Sequence, residues 1–343
     1  MKKLLLISIF EILFLSCKKE PVKFSTDANE VFWLSNANAD MPVWVKGNTA
    51  SKVMILFLHG GPGDGSYQYD GYPTDRLWSK YAIAYWDQRD AGAAAGNNNY
   101  EDLTLKQMLD DLTKLVEVIR YRYGNDMEIF LMGHSFGALL GARYLTTGNN
   151  QANIRGWIEV DGAHDFPQSN TLERQMLIDT GSSEIAKGNN VPDWTTIVNY
   201  CNANQANVTI NQDLQMDAYA GLAEQYMQVD PAASTLQFFS PSSPISLGIN
   251  LLKLYDTRAG KKFLHTLEHT SYTSQLYKIT IPSLLLWGQY DFTVPSGCGI
   301  DALQNLGSAY KHLFILRGCG HAPMKNNPDL FAQYVESFID AVR

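Results

Sequence analysis

A chain of 343 residues, 45% hydrophobic and 18% charged, carries enough apolar material for a large core, which excludes a disordered or low-complexity protein. Lys and Arg number 27 against 35 Asp and Glu, a net charge of −8, so the basic footprint of a nucleic-acid binder is missing. The length suits one large α/β domain or two ordinary ones.

Residues 1–17 stand apart from the rest. Lys2 and Lys3 precede an apolar stretch from Leu4 to Leu15, too short to span a bilayer stably, and Ser16-Cys17 ends it ahead of Lys18-Lys19-Glu20. This pattern resembles a bacterial lipoprotein signal. It implies lipidation of Cys17, export, and a lipid anchor holding the chain to a membrane on its periplasmic or surface face. An ordinary secretory signal with a chance cysteine is the competing reading. Residues 18–28 read as a polar tether.

Val31–Leu34 and Met41–Val45, separated by Asn, Ala and Asp residues, read as a hairpin. Val53–Leu58 is a continuous apolar run, as in a strand buried on both faces, and Tyr81–Trp86 is the next strand. From Leu103 to Tyr123 the apolar residues Leu105, Met108, Leu109, Leu112, Leu115, Val116, Ile119 and Tyr123 recur at helical spacing. A strand over 127–132, a helix over 136–146 and a strand over 154–160 follow. No obvious strand occurs between about 165 and 272, where helix-like pieces cover 168–187, 193–204, 213–228 and 245–270. The rhythm resumes with a strand at 283–287, a helix at 297–306, a strand at 312–316 and an amphipathic helix at 329–342. The alternation predicts an α/β fold: a mainly parallel, doubly wound sheet built from 29–164 and 272–343, with a helical cap inserted over 165–271.

Gly133-His134-Ser135-Phe136-Gly137 falls between the strand at 127–132 and the helix that follows, the setting of a nucleophile elbow. A Cβ two residues either side of Ser135 would collide with the neighbouring helix or strand. Serine becomes a nucleophile only beside a base, and the base needs an acid to fix its tautomer. His321, in the small-residue loop Gly318-Cys319-Gly320-His321, and Asp291, in Gly288-Gln289-Tyr290-Asp291, each follow a strand. The order Ser135, Asp291, His321 at strand ends is that of the α/β-hydrolase fold. Asp161 and Asp165 are rival acids. His59-Gly60-Gly61-Pro62-Gly63 follows the strand at 53–58, so a Gly60 or Gly61 N–H with that of Phe136 would form an oxyanion hole. His134 and His59 read as structural, and His164, His265, His269 and His312 carry no motif. Cys298 and Cys319 lie just beyond the acid and histidine loops, so a disulfide between them stands against three unpaired thiols including Cys201. No metal-ligand spacing or dinucleotide glycine signature occurs, so no metal and no cofactor are expected.

The combination of His59-Gly60-Gly61-Pro62-Gly63, Asp87-Gln88-Arg89 and the Ser135 elbow resembles the proline iminopeptidase family of α/β-hydrolases, over about 52–163 and 280–325. The resemblance implies Ser135, Asp291 and His321 as nucleophile, acid and base, with Asp87-Gln88-Arg89 buttressing the oxyanion loop. The chain departs from that family at Asp90-Ala91-Gly92, at the elbow, where the family commonly has Gly-Gly-Ser-Trp-Gly, and in lacking a tryptophan- and glutamate-bearing cap motif for a free amino terminus.

Glu173, Glu184 and Glu224 are the cap candidates for holding such an amine, against the plainer reading of solvated helix-face carboxylates. Met176, Trp194, Tyr200, Met216, Tyr219, Tyr226, Met227, Phe238 and Phe239 either line an acyl pocket or pack the cap helices together. The expected function is a serine hydrolase working through an acyl-enzyme, an aminopeptidase of proline iminopeptidase type. A carboxylesterase for small or lipid-like esters is the alternative, and a ligand-binding protein on a hydrolase shell the third reading. A small peptide or ester is the expected partner, with no nucleic acid, and no protein partner is identifiable.

Overall fold

The computed structural model describes residues 24–66, 74–94, 100–204, 209–229 and 254–343. Cys17 and the lipoprotein-type segment, Phe238, Phe239 and the first part of the expected helix at 245–270 lie outside these residues.

Eight strands form one sheet: β1 (Ala28–Asn36), β2 (Ala39–Gly47), β3 (Val53–Leu58), β4 (Ala82–Trp86), β5 (Glu128–His134), β6 (Gly156–Val160), β7 (Ser283–Gly288) and β8 (Lys311–Leu316). Their spatial order is β1-β2-β4-β3-β5-β6-β7-β8. The β1–β2 and β2–β4 pairs are antiparallel and all other neighbours are parallel. The hairpin is longer than its apolar residues suggest, because the two-residue turn Ala37-Asn38, with φ of 42° and 62°, matches the twist of the strands and lets pairing run to Ala28 and Gly47. β6 begins at Gly156, two residues later than expected, after a 3-10 turn over Asn150–Asn153.

The helices are α1 (Thr74–Trp78), α2 (Leu105–Tyr123), α3 (Phe136–Leu145), α4 (Phe166–Lys187), α5 (Val191–Ala203), α6 (Ile210–Tyr226), α7 (Arg258–Leu267), α8 (Ser296–Asn305), α9 (Pro323–Asn326) and α10 (Pro328–Val342). α2 starts where Thr104 Oγ1 accepts the Gln107 N–H at 3.1 Å and turns the apolar stripe read from the sequence inward. Strand side chains alternate between two cores. Met54, Leu56 and Leu58 of β3 pack with Leu112, Leu115 and Leu139 on one face, whereas Val53, Ile55 and Phe57 pack with Phe331, Val335 and Ile339 on the other. Burial on both faces is why these strands read as unbroken apolar runs.

The same alternation decides between the two readings of the cysteines, in favour of unpaired thiols. Cys298 sits with Leu285 and Trp287 in one core, and Cys319 with Leu284 and Leu286 in the other. Neighbouring residues of β7 point to opposite faces, so the two sulfurs lie on opposite sides of the sheet; Cys201, Cys298 and Cys319 are all free and buried.

Between β6 and β7 the described residues carry α4, α5, α6 and α7 and no strand, only a bridge between Asp165 and Ser271. Trp194, Met216, Met176, Tyr200, Tyr219, Tyr226 and Met227 form a cluster of their own among these helices, with Phe292. They hold the helices together, and none of them lines the cavity at Ser135.

Candidate active site

Ser135 occupies the turn between β5 and α3 with φ of 54° and ψ of −123°, a strained conformation for a residue with a side chain. Its N–H donates to Val160 O at 3.0 Å, and its carbonyl accepts from Ala138 and Ala163, so the surroundings hold the strain in place. Serine at an N-cap ordinarily accepts a helix N–H. Here no such bond forms, and Oγ is turned toward the loops beyond β7 and β8. The flanking glycines are sterically required: a Cβ on Gly137 would lie 2.2 Å from Leu58 O, and one on Gly133 2.6 Å from Gly137 O.

Ser135, Asp291 and His321, scattered over the sequence, meet in space. His321 Nε2 lies 3.0 Å from Ser135 Oγ, and His321 Nδ1–H donates to Asp291 Oδ2 at 3.0 Å. Asp291 is fully buried, and its other oxygen accepts the Val294 N–H at 2.8 Å. An imidazole whose Nδ1 proton is held by a carboxylate presents a bare Nε2, which can take a proton from a hydroxyl. Of the rival acids, Asp161 accepts the Gly288 N–H at 2.8 Å beneath Asp291, and burial together with the charge of Asp291 pushes its carboxyl well up. Asp165 caps α4 through the Gln168 N–H and takes the hydroxyls of Ser271 and Thr273.

Burial alone would lower His321, but Asp291, Glu224 and Asp217 outweigh it and hold the imidazole up at about 9. His134 Nε2–H donates to the His321 carbonyl at 2.6 Å, and the two rings sit 4.9 Å apart. Burial, with His321 next to it, keeps His134 well below the usual imidazole range. His134, Asp161 and His321 bring ligand atoms within 4.8 Å of one another, the spacing of a metal site. Both His321 ring nitrogens, His134 Nε2 and one Asp161 oxygen are already engaged in the bonds above.

Gly60 and Gly61 follow β3, and Gly61 and Pro62 line the cavity that opens on Ser135. The loop is pinned from below. His59 Nδ1–H donates to Gly60 O at 2.7 Å, its Nε2 accepts the Gln88 N–H at 3.1 Å, and Gln88 Nε2 donates back to His59 O at 2.9 Å. Burial lowers His59 to about 4, which keeps it neutral and able to make both bonds. Asp87 accepts from the backbone and hydroxyl of Ser66 and from the Ala93 N–H. Asp87 and Gln88 therefore buttress this loop, whereas Arg89 reaches away, donating to both oxygens of Asp111 at 2.8 Å and to the carbonyls of Asn36 and Ala37. Phe136 is the first residue of α3, where the N–H groups lack partners within the helix.

The three glutamates that are candidates for holding an amine separate, and all three are buried rather than solvated. Glu173 lines the Ser135 cavity. Glu224 instead accepts the His321 N–H at 3.0 Å and supports the histidine loop from α6; burial, then Asp291, raises it to about 7. Glu184 sits in the last turn of α4, where Asn189 and Lys187 bind its oxygens at 2.7 Å, and it lines no part of the cavity. The sequence reading missed Asp213, Asp217 and Glu268, which join Glu173 and Ser135 around the cavity. The one local signal was the spacing of Asp213 and Asp217, like charges four residues apart on one helix, where they repel each other.

Residues 49–213 match the family model described as serine aminopeptidase, S33. The chain is 25% identical over 307 residues to the proline iminopeptidase of Saccharolobus solfataricus, covering 87% of each protein. It is 22% identical over 320 residues to a probable aminopeptidase of Bacillus subtilis, covering 87% of this chain and 92% of that one. An esterase of Rhodococcus shares the fold with a TM-score of 0.60 at 18% identity, over 93% of this chain and 100% of that one. With its sheet order and its serine at the β5–α3 turn, the chain has the α/β-hydrolase fold and resembles the proline iminopeptidases.

Proposed function

We propose that this protein is a serine hydrolase acting through an acyl-enzyme, as an aminopeptidase releasing N-terminal residues from peptides. The observation that carries the reading is the chain of contacts Ser135 Oγ–His321 Nε2 and His321 Nδ1–Asp291 Oδ2, each 3.0 Å. His321 takes the Ser135 proton as Oγ bonds to the scissile carbonyl carbon, and the oxygen gathers negative charge beside the N–H groups of Phe136 and of Gly60 or Gly61. The proton then passes to the departing amine. Water, deprotonated by the same imidazole, releases the acyl group and restores the serine.

The lining of the cavity favours a peptide amino terminus over an ester. Glu173, Asp213, Asp217 and Glu268 suit an ammonium group, and Phe166, Tyr255, Leu264 and Leu267 line the same cavity, whereas Met176, Trp194, Tyr200, Met216, Tyr219, Tyr226 and Met227 are consumed by helix packing. The resemblance to proline iminopeptidases and to a probable aminopeptidase agrees with this choice.

A fluorophosphonate probe is expected to label the folded protein and to fail on Ser135→Ala; absence of labelling on the folded wild type would return the chain to the ligand-binding reading. Aminoacyl arylamides are expected to be cleaved in preference to short p-nitrophenyl esters. An ester turned over far faster than every arylamide would make the protein a carboxylesterase.

A further inference from the structure

Phe24 and Ser25 lie at the rim of the sheet opposite the active site. Ser25 N–H donates to Thr49 Oγ1 at 2.9 Å, and Ala50 N–H donates to Ser25 O at 3.2 Å, in the 3-10 turn ahead of β3. Lys52, the residue before β3, holds its Nζ 3.5 Å from the centre of the Phe24 ring. Ser135 and the loop at His59 follow the other ends of β5 and β3. A parallel strand of 6 residues spans about 20 Å, so roughly that distance separates Phe24 from the nucleophile. Cys17 precedes Phe24 by seven residues, a reach of at most about 25 Å.

Exposed aromatic side chains gather at the same rim. Among the described residues five Phe, Tyr or Trp side chains are exposed; Phe24, Tyr121, Tyr277 and Tyr310 lie here, and Trp33 on β1 does not. Tyr121 is in the last turn of α2, which leads into β5, while Tyr277 and Tyr310 precede β7 and β8. Rings with an apolar body and a polar tip suit the boundary between lipid and water. Lys52, Arg155, Lys278 and Lys311 stand among them, at or before the starts of parallel strands. Asp126 answers Lys52 at 3.2 Å and Glu128 answers Arg155 at 3.5 Å. Lys278 and Lys311 donate to neutral groups, Gln275 Oε1 at 3.2 Å and the Leu306 carbonyl at 2.6 Å, so positive charge is left over in a chain of net charge −8. A second cationic face, Arg258, Lys261 and Lys262 on α7, lies in the cap and carries no exposed Phe, Tyr or Trp among the described residues.

We propose that this rim is the face the protein rests on an anionic phospholipid bilayer, with Tyr277 and Tyr310 among the headgroups and Lys278 and Lys311 against lipid phosphates. The inference rests on the lipid anchor at Cys17, not on the aminopeptidase reading. The anchor keeps the exit point close to the bilayer but does not by itself set which way the protein faces. Apolar area and cations on the same face as the exit set it, since both kinds of contact form only in that pose. The active site then opens away from the membrane that carries the chain. Substrate reaches Ser135 from the aqueous compartment, and a lipid of the same bilayer has to leave it first.

The test uses the full chain, matured in bacterial cells and reconstituted in vesicles of phosphatidylcholine and phosphatidylglycerol. Cys201, Cys298 and Cys319 are buried, so a thiol-reactive fluorophore goes to a cysteine introduced on the surface, Ala309→Cys beside Tyr310 or Leu214→Cys at the wider cavity in the cap. Labelling of Ser135 by a fluorophosphonate checks that each variant is folded. With nitroxide-bearing lipid in the vesicles, the fluorophore at 309 is expected to lose about half of its emission or more, as a group within ~5–10 Å of the headgroup boundary does, and the one at 214 to keep it. Tyr277→Ser with Tyr310→Ser, and Lys278→Gln with Lys311→Gln, should each reduce the quenching at 309 while the protein still floats with the vesicles. Quenching at 214 and not at 309 would put the α7 face on the bilayer and overturn the proposal. Emission kept at both positions in floating protein would overturn it too, leaving an anchor with no docking face. Quenching at 309 unchanged in both double variants would overturn the assignment to these four residues. Protein that does not float with the vesicles would remove the Cys17 anchor itself, and the inference with it.

Discussion

Asp291 and Asp161 lie against each other beneath one imidazole, and the geometry divides their work. Only Asp291 bonds His321 Nδ1, so Asp291→Asn should present the wrong tautomer and lower kcat by about 10⁴. Asp161→Asn keeps that bond, and its kcat should stay far closer to wild type; single-turnover kinetics on the preferred substrate measures both. The negative groups around His321 also set its pH behaviour. Raised to about 9, the imidazole is mostly protonated at neutral pH, and kcat/KM should climb as pH rises past the ordinary histidine value of 6.5. Glu224→Gln removes one charge that favours the imidazolium, so the rising limb should move to lower pH. A limb unmoved in that variant would show that Glu224 acts only as a bond to the loop backbone.

Among the elements, β6, α8 and the turn at Thr273 are joined by a buried histidine outside the active site. His164 Nδ1–H donates to Glu159 at 2.9 Å, and Nε2–H donates to Asp301 at 3.3 Å, which also binds Thr273. Burial would lower this imidazole, but the two carboxylates hold it at about 10. The folded value stands above the unfolded 6.5, so the stabilisation is fully present below 6.5 and is lost as pH rises through 10. Urea unfolding of wild type and His164→Gln should differ most at pH about 6 and least above about 10. At the other end of the sheet, the buried Arg89–Asp111 pair ties the β1–β2 turn to α2. Asp111→Ala leaves an unanswered buried guanidinium, and should destabilise by about 3–5 kcal/mol in the same assay.

For the whole molecule, the lipid anchor on Cys17 is a proposal, because that residue lies outside the described chain. Among the described residues no helix is long and apolar enough to cross a membrane. Radiolabelled palmitate should enter the wild type and not Cys17→Ala; labelling retained in that variant would place the lipid elsewhere. With Cys17 acylated, thiol titration in denaturant without reductant should find Cys201, Cys298 and Cys319, three per chain, since all are free.

Local sequence determined most of the sheet and the Ser135 turn. Doubly buried strands must be apolar throughout, and a strained turn packed against β3 must be flanked by glycine. The motifs at His59, Ser135, Asp291 and His321 were legible because each follows a strand in the parallel part of the sheet, and parallel strands end on one rim. The tertiary structure alone decided which carboxylates share the cavity, because Glu173, Asp213 and Glu268 come from three helices whose packing no local pattern encodes. It also separated Cys298 from Cys319, whose loops are neighbours in space but whose side chains enter opposite cores. Chain order sets which rim a residue reaches; the direction of its side chain follows from long-range packing.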